Sequence, residues 1–272
     1  MSSSARGSTA SASTGSDAPS LAVVIPMYGE QDQAERCVRL VCAALDALPA
    51  RSAMIVVDDG SHDRTGEILA RLARETARLS VLTHSANRGY GAALRTGVAR
   101  AAEMGLEYVL FMDSDLTNDP AYLPNFMARM REGCDVIKAS RYVAGGRVEG
   151  VASWRRALSI VGNGVARALY RLPMRDCTNG FRALRTSLYQ QMRLEENGFP
   201  MIMEELYQAK FLARTFCEFP YTLTARSASL RPSSFTYRPG VLLQYLKYPV
   251  KAFLRQVPSH LAARRSRGGG AP

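Results

Sequence analysis

The chain has 272 residues, 47% of them hydrophobic and 22% charged, with a formal net charge of +11. That length can bury a substantial core in one large domain, and the composition is that of a globular protein rather than a disordered or fibrous one. The five scattered cysteines (Cys37, Cys42, Cys134, Cys177, Cys217) form no C-x-x-C pair, and His62, His84 and His260 have no ligand spacing; both facts argue against a disulfide framework or a zinc site, point to a reducing compartment and leave any metal to oxygen donors.

Residues 1–20 are rich in Ser, Ala, Thr and Gly and lack the apolar core of a signal peptide, so they read as a disordered tail. Leu21 to Pro26 is a short apolar run stopped by proline, the pattern of a buried parallel strand. Asp32 to Leu48 carries helical periodicity at Val38, Val41, Leu45 and Leu48. A second buried strand, Ala53 to Val57, ends in Asp58-Asp59-Gly60-Ser61, and Asp63 to Ala77 reads as the next helix. Val81 to His84 is a third strand, Gly91 to Met104 a helix, and Tyr108 to Met112 a fourth buried strand. This alternation predicts an open, mostly parallel α/β sheet with helices on both faces. Val241 to Gln256 is amphipathic, with Lys247, Lys251 and Arg255 four apart and Leu243, Leu246, Val250 and Phe253 towards the other side. Pro249 is expected to kink or break it. Two readings stay open for this helix: one lying in a bilayer interface, and one packed on the domain with an ordinary basic outer face. The expected organisation is a tail at 1–20, a main domain at 21–240, this helix at 241–257 and a basic tail at 258–272. No run approaches the ~20 apolar residues of a membrane span, so the chain is expected to be soluble or peripheral, or to work with a membrane-protein partner. After Glu218 there is no acidic residue, which predicts an anionic partner for that end.

Polar signatures recur where the buried strands stop: Pro26-Met27-Tyr28, Asp58-Asp59 and Asp113-Ser114-Asp115. In open α/β sheets ligands bind beyond the carboxyl ends of the strands, so these acidic residues converge on one edge. Asp113 and Asp115 are spaced to share a divalent cation, which in turn neutralises a diphosphate. Read alone, the pair is equally a set of turn aspartates near Pro120; the second Asp pair after an earlier strand shifts the reading to a site. Asp58 or Asp59 is expected to accept hydrogen bonds from a nucleobase or ribose, with Gly60 allowing close approach.

Six strings occur in order: VVIPMYGE (Val23 to Glu30), VVDDGSHDRT (Val56 to Thr65), NRGYGAALRTG (Asn87 to Gly97), MDSDLTNDP (Met112 to Pro120), ASRYVAGG (Ala139 to Gly146) and RDCTNGFRALR (Arg175 to Arg185). Over roughly residues 20 to 240 they resemble the motifs of family-2 polyprenyl-phosphate sugar transferases of GT-A fold, dolichyl-phosphate mannosyltransferases included. The resemblance implies an inverting glycosyltransferase that uses Mg²⁺ or Mn²⁺ and acts at the cytoplasmic face of a membrane. Pro26, Tyr28, Glu30, Asp58 and Asp59 would then line the nucleotide pocket. Asp113 and Asp115, with Thr117 beside them, would bind metal and donor diphosphate, and Arg226 would stand near the phosphates. Arg141, Arg155 and Ser159 match acceptor-phosphate positions, and Asp176 and Arg182 lie in a motif near the reaction centre. Gly29 replaces a usual asparagine, which is expected to loosen its loop; Thr117 stands where glutamine is common, and Arg231 to Phe235 replaces a lysine-bearing loop.

A phosphate monoester acceptor is already ionised and needs no general base, which fits the shortage of histidine. A hydroxyl acceptor would need one, and Asp176, Glu204 and Glu205 are the candidates, although Glu204 and Glu205 read better as the polar face of a helix. The preferred donor is GDP-mannose, with UDP-glucose or UDP-N-acetylglucosamine next. A non-catalytic, basic membrane- or nucleic-acid-binding protein is the alternative from another class; intact Asp113 and Asp115 speak against it, and no nucleic-acid partner is expected.

Overall fold

A computed structural model describes residues 18–224 and 239–256. From the N-terminus, β1 (Leu21–Met27), α1 (Ala34–Asp46), β2 (Ser52–Asp58), α2 (Thr65–Glu75), β3 (Leu79–Thr83), α3 (Tyr90–Glu103) and β4 (Tyr108–Phe111) alternate as the periodicity predicts. A 3₁₀ turn at Pro120–Tyr122 leads into α4 (Leu123–Arg131), β5 (Val136–Ser140), the short β6 (Arg147–Val148) and α5 (Ser153–Tyr170). The remainder is β7 (Arg182–Arg185), α6 (Thr186–Gln190), α7 (Met201–Leu212), β8 (Phe216–Pro220), β9 (Thr222–Leu223) and α8 (Pro239–Gln256).

Seven strands form one sheet in the order β3-β2-β1-β4-β7-β5-β8, and β6 pairs with β9 apart from it. β1 runs parallel to β2 and β4, whereas β7 is antiparallel to both β4 and β5. The strand β1 continues through Pro26 to Met27 rather than stopping at the proline. Its pairing with β4 ends at Val24, so the missing N–H of Pro26 costs that ladder nothing.

Alternation along β1 divides the core into two layers. Leu21, Val23, Ile25 and Met27 pack with apolar residues of α1, α2 and α4, while Ala22 and Val24 pack with those of α3, α6 and α7. Helices therefore cover both faces, and burial of each Val, Leu or Ile contributes ~1.5–3 kcal/mol. The site edge is set by this packing, because β1, β2 and β4 all end on the same side.

Two expectations are corrected here. Cys134 and Cys217 are joined by a disulfide with a Cα–Cα distance of 6.1 Å, although their spacing argued for none. The segment before β5 and strand β8 are 83 residues apart in the chain yet adjacent in the sheet, a neighbourhood that spacing does not reveal. Cys37, Cys42 and Cys177 are free and buried. The second concerns α8, which Pro249 does not break in two: one helix spans Pro239–Gln256. It packs on α5 and α7, and its basic side chains lean back onto the domain. Lys247 pairs with Glu196 at 2.7 Å, and Lys251 and Arg255 lie over the rings of Tyr207 and Phe211. No helix among the described residues is long and apolar enough to cross a membrane.

Candidate active site

Two cavities open beyond the carboxyl ends of β1, β2 and β4. One, of about 290 Å³, is polar, and Pro26, Tyr28, Glu30, Asp59, Asp113 and Asp115 stand in its wall. The other, of about 420 Å³, is lined by apolar residues of α5, α7 and α8, among them Leu158, Val161, Val165, Ile202 and Leu246, together with Arg141, Ser159 and Thr178. Asp113, Tyr90 and Phe199 belong to both walls. The acidic edge and the arginine anticipated across from it therefore meet at Asp113.

The loop after β4 is built to present carboxylates. Asn118 Oδ1 accepts the Asp113 N–H at 2.9 Å, and Asp115 Oδ1 accepts both the N–H and the hydroxyl of Thr117, at 3.0 and 2.7 Å. Directly after Asp115, Leu116 takes φ +59°, a left-handed conformation that strains a residue with a branched side chain. Thr117 itself lines neither cavity. Its hydroxyl is spent on Asp115 and its carbonyl accepts the Tyr221 hydroxyl, so it holds the acidic loop. The donor set suits a hard cation: two carboxylates at an open polar cavity, with the remaining positions left to water and phosphate oxygens, as Mg²⁺ prefers.

The Asp58-Asp59 pair separates into two roles. Asp58 is buried and lines neither cavity, because its Oδ1 caps the following turn by accepting from the Ser61 N–H and hydroxyl. Asp59 lines the polar cavity, yet its carboxylate is engaged by the His84 ring at 2.6 Å and by the N–H groups of Arg88 and Gly89. It fixes the loop that carries Tyr90. The close approach that Gly60 permits is to protein: at φ +73°, a Cβ there would sit 2.5 Å from the Ala86 backbone. Gly29, expected to loosen its loop, takes φ +66° and donates its N–H to Ser61 Oγ. Asparagine tolerates the same left-handed conformation, so the exchange preserves the turn.

Arg141, in the wall of the apolar cavity, is held by side chains of the segment after α5. Its Nε and Nη2 form a bidentate pair with Asp176 at 2.7 Å each, and Nη2 also donates to Thr178 Oγ1 at 2.9 Å. Burial alone would raise the Asp176 carboxyl, but the Arg141 guanidinium and the Lys138 ammonium hold it below the usual carboxylate range. Asp176 thus positions Arg141 and lines neither cavity. Ser159 Oγ, in the same wall as Arg141, accepts the Tyr142 hydroxyl at 2.7 Å. Arg155 is exposed on the first turn of α5, outside the lining of both cavities. Arg226 lies outside the described residues.

Arg182 lines neither cavity. It is fully buried, pairs bidentately with Glu205 at 2.5 and 2.7 Å, and lies over the Phe111 ring. Glu204 and Glu205 are correspondingly buried rather than forming a polar helix face; Glu204 accepts the N–H groups of Glu195 and Glu196. All three candidate general bases are therefore committed to protein partners.

Sequence reasoning missed Tyr90, Phe199, Asn197 and Thr178 as wall residues. Tyr90 sits inside one of the quoted motifs, but nothing in its spacing signals that it reaches the site. Phe199 arrives from a loop more than a hundred residues later.

A mostly parallel sheet with strand-end carboxylates between two cavities is the architecture that the motifs implied for a transferase. The family model described as Glycosyl transferase family 2 matches residues 22–193, and the chain belongs to that family. It is 30% identical over 211 residues to a dolichol-phosphate mannosyltransferase of Pyrococcus furiosus, covering 77% of this chain and 58% of that protein. It is also 29% identical to an undecaprenyl-phosphate mannosyltransferase of Micrococcus luteus, covering 75% and 83%, and 30% identical to a polyprenol monophosphomannose synthase of Mycolicibacterium smegmatis, covering 78% and 80%. Thus the chain spans little more than half of the Pyrococcus protein. Among solved structures, glucosyl-3-phosphoglycerate synthase from Mycobacterium tuberculosis with Mn²⁺ and UDP superposes with a TM-score of 0.56 at 19% identity, over 87% of this chain and 77% of that one. The same enzyme with Mg²⁺ and UDP gives 0.56 at 20% identity, over 90% and 79%. The shared architecture is GT-A, as the motifs implied.

Proposed function

We propose that the protein transfers a hexose, mannose by preference, from a nucleoside-diphosphate sugar to the phosphate of a polyprenyl lipid. The observation that carries this reading is the position of Asp113, common to a polar cavity and to an apolar one that holds Arg141. A nucleotide fits the first, and an isoprenoid chain with a phosphate head fits the second. A sugar-hydroxyl acceptor fits poorly, since it calls for polar walls and a free carboxylate base. The three named relatives carry polyprenyl-phosphate mannosyl chemistry in their names, which supports the same choice of acceptor and sugar.

Catalysis then rests on alignment. Arg141, with Ser159 and Thr178 beside it, orients the acceptor phosphate, whose ionised oxygen attacks the anomeric carbon. A new C–O bond forms as the bond to the nucleoside diphosphate breaks, and the leaving group departs on the side of Asp113 and Asp115. One displacement inverts the anomeric configuration and requires no proton transfer. A Mg²⁺ or Mn²⁺ ion held by Asp113 and Asp115 would supply charge neutralisation of the diphosphate.

The membrane reading gains support from a helix the sequence did not single out. The outer side of α5 exposes Trp154 (56%), Ile160 (48%) and Val161 (62%), and α8 beside it exposes Leu243 (68%) and Leu254 (65%). Lone exposed apolar residues are ordinary, but several on two adjoining helices, one of them Val161 in the wall of the apolar cavity, suit a lipid surface. We infer peripheral association through this face, on the cytoplasmic side. The test is incubation with labelled GDP-mannose, UDP-glucose or UDP-N-acetylglucosamine, Mg²⁺ or Mn²⁺, and polyprenyl phosphate, followed by organic extraction. Label in the organic phase with GDP-mannose is expected; label confined to water-soluble products would sink the acceptor assignment.

A further inference from the structure

We propose that Tyr90 and Phe199 form the surface against which the transferred hexose rests. This inference builds on the two-substrate reading above. The hexose is the one group that must reach from the diphosphate to the acceptor phosphate. It therefore meets the residues common to both cavities, and these are Asp113, Tyr90 and Phe199. One is a carboxylate; the other two are aromatic rings stacked on each other at 4.9 Å with 27° between their planes. Aromatic faces take up the C–H groups of a pyranose through burial and dispersion.

The surface is built to stay in place. Gly89 N–H, before Tyr90, donates to Asp59 Oδ2, and Gly91 N–H, after it, donates to the Asn197 carbonyl, both at 2.7 Å. Arg182, clamped by Glu205, lies close enough for its charge to act on the Tyr90 hydroxyl. A methyl group placed on Gly180 would be 3.7 Å from the Tyr90 hydroxyl and 3.9 Å from Asp113 Oδ2, so ring and carboxylate border the same small space. Phe199 is carried by the segment that Arg95 anchors through the Glu196 carbonyl, at 2.7 Å.

The experiment is calorimetric and involves no transfer. GDP and GDP-mannose, and in parallel UDP and UDP-glucose, are titrated with Mg²⁺ into the full chain, and the pair that binds is carried to Tyr90→Phe, Tyr90→Ala and Phe199→Ala. Both alanine variants should hold the free diphosphate within about twofold of wild type and weaken the sugar nucleotide about tenfold, a contact of ~1.4 kcal/mol. Tyr90→Phe, which keeps the ring, should stay close to wild type for both. Equal losses for diphosphate and sugar nucleotide would overturn the proposal, since the rings would then belong to the nucleotide wall. Unchanged affinity for both, or a wild type that binds none of the four, would overturn it as well. A protein that shows the split yet labels no polyprenyl phosphate keeps this inference and loses the acceptor assignment.

Discussion

Glu205→Gln leaves the Arg182 guanidinium charged in a fully enclosed position, because the side chains are 0% and 1% exposed and the bidentate pair is the main compensation for their desolvation. Breaking such a pair from one side typically costs about 3–5 kcal/mol, whereas replacing both partners with apolar side chains is often near neutral. For a domain of this size each kcal/mol lowers the melting temperature by ~2–4 °C, so Glu205→Gln should melt roughly 10 °C below wild type. Arg182→Met should lose a similar amount, less whatever the methionine recovers in packing against Phe111. The double variant Arg182→Met/Glu205→Met should regain much of the loss, giving a coupling of about 2 kcal/mol or more in a cycle. The assay is thermal and urea unfolding of the four proteins, with nucleotide binding measured on each. Single variants that melt with wild type while losing turnover would refute the reasoning, because the pair would then act on substrate rather than on the scaffold.

Other expectations follow from the same contacts. Asp113→Asn and Asp115→Asn should lose nucleotide binding in Mg²⁺ or Mn²⁺ with little change in melting, and EDTA should abolish wild-type transfer; binding that persists in EDTA would count against a metal at this pair. Arg155→Ala, on an exposed turn, should reduce acceptor use far less than loss of Arg141, read from the KM for polyprenyl phosphate; comparable effects would bring Arg155 into the site. Burial pushes the Lys138 ammonium down to about 8 from an ordinary 10.5, against the pull of Asp176. Below pH 8 folded and unfolded chains both hold that proton and the folded state bears the cost. Between pH 8 and 10.5 only the unfolded chain keeps it, so stability rises with pH by about 3 kcal/mol from this group. Urea unfolding from pH 7 to 10 should show wild type gaining on Lys138→Met by that order; parallel curves would show that Lys138 keeps its proton in the folded chain across this range.

The strands and their order of use were legible because buried parallel strands are apolar throughout and stop at polar loops. β1, β2 and β4 lie within a residue or two of their expected bounds, and Pro26, Tyr28, Glu30, Asp59, Asp113 and Asp115 all reach one cavity. What was not legible depends on partners distant in the chain. Asp176 is 35 residues from Arg141 and Arg182 is 23 from Glu205, so motif membership alone could not separate residues that face substrate from those that hold them. Helical periodicity failed differently for Glu204 and Glu205, where two carboxylates read as solvated are buried against an arginine and two backbone N–H groups. The Cys134–Cys217 link has the same origin, being a contact between the segment before β5 and strand β8 that no spacing rule connects.

Arg141→Met, assayed for sugar-nucleotide affinity and for transfer on one preparation, tests the division of labour most directly. Wild-type donor affinity together with transfer lowered by about a hundredfold or more is the expected result, as loss of an oriented charged contact implies. Donor affinity that falls in step with transfer, or transfer that survives, would contradict the assignment of the apolar cavity to the acceptor.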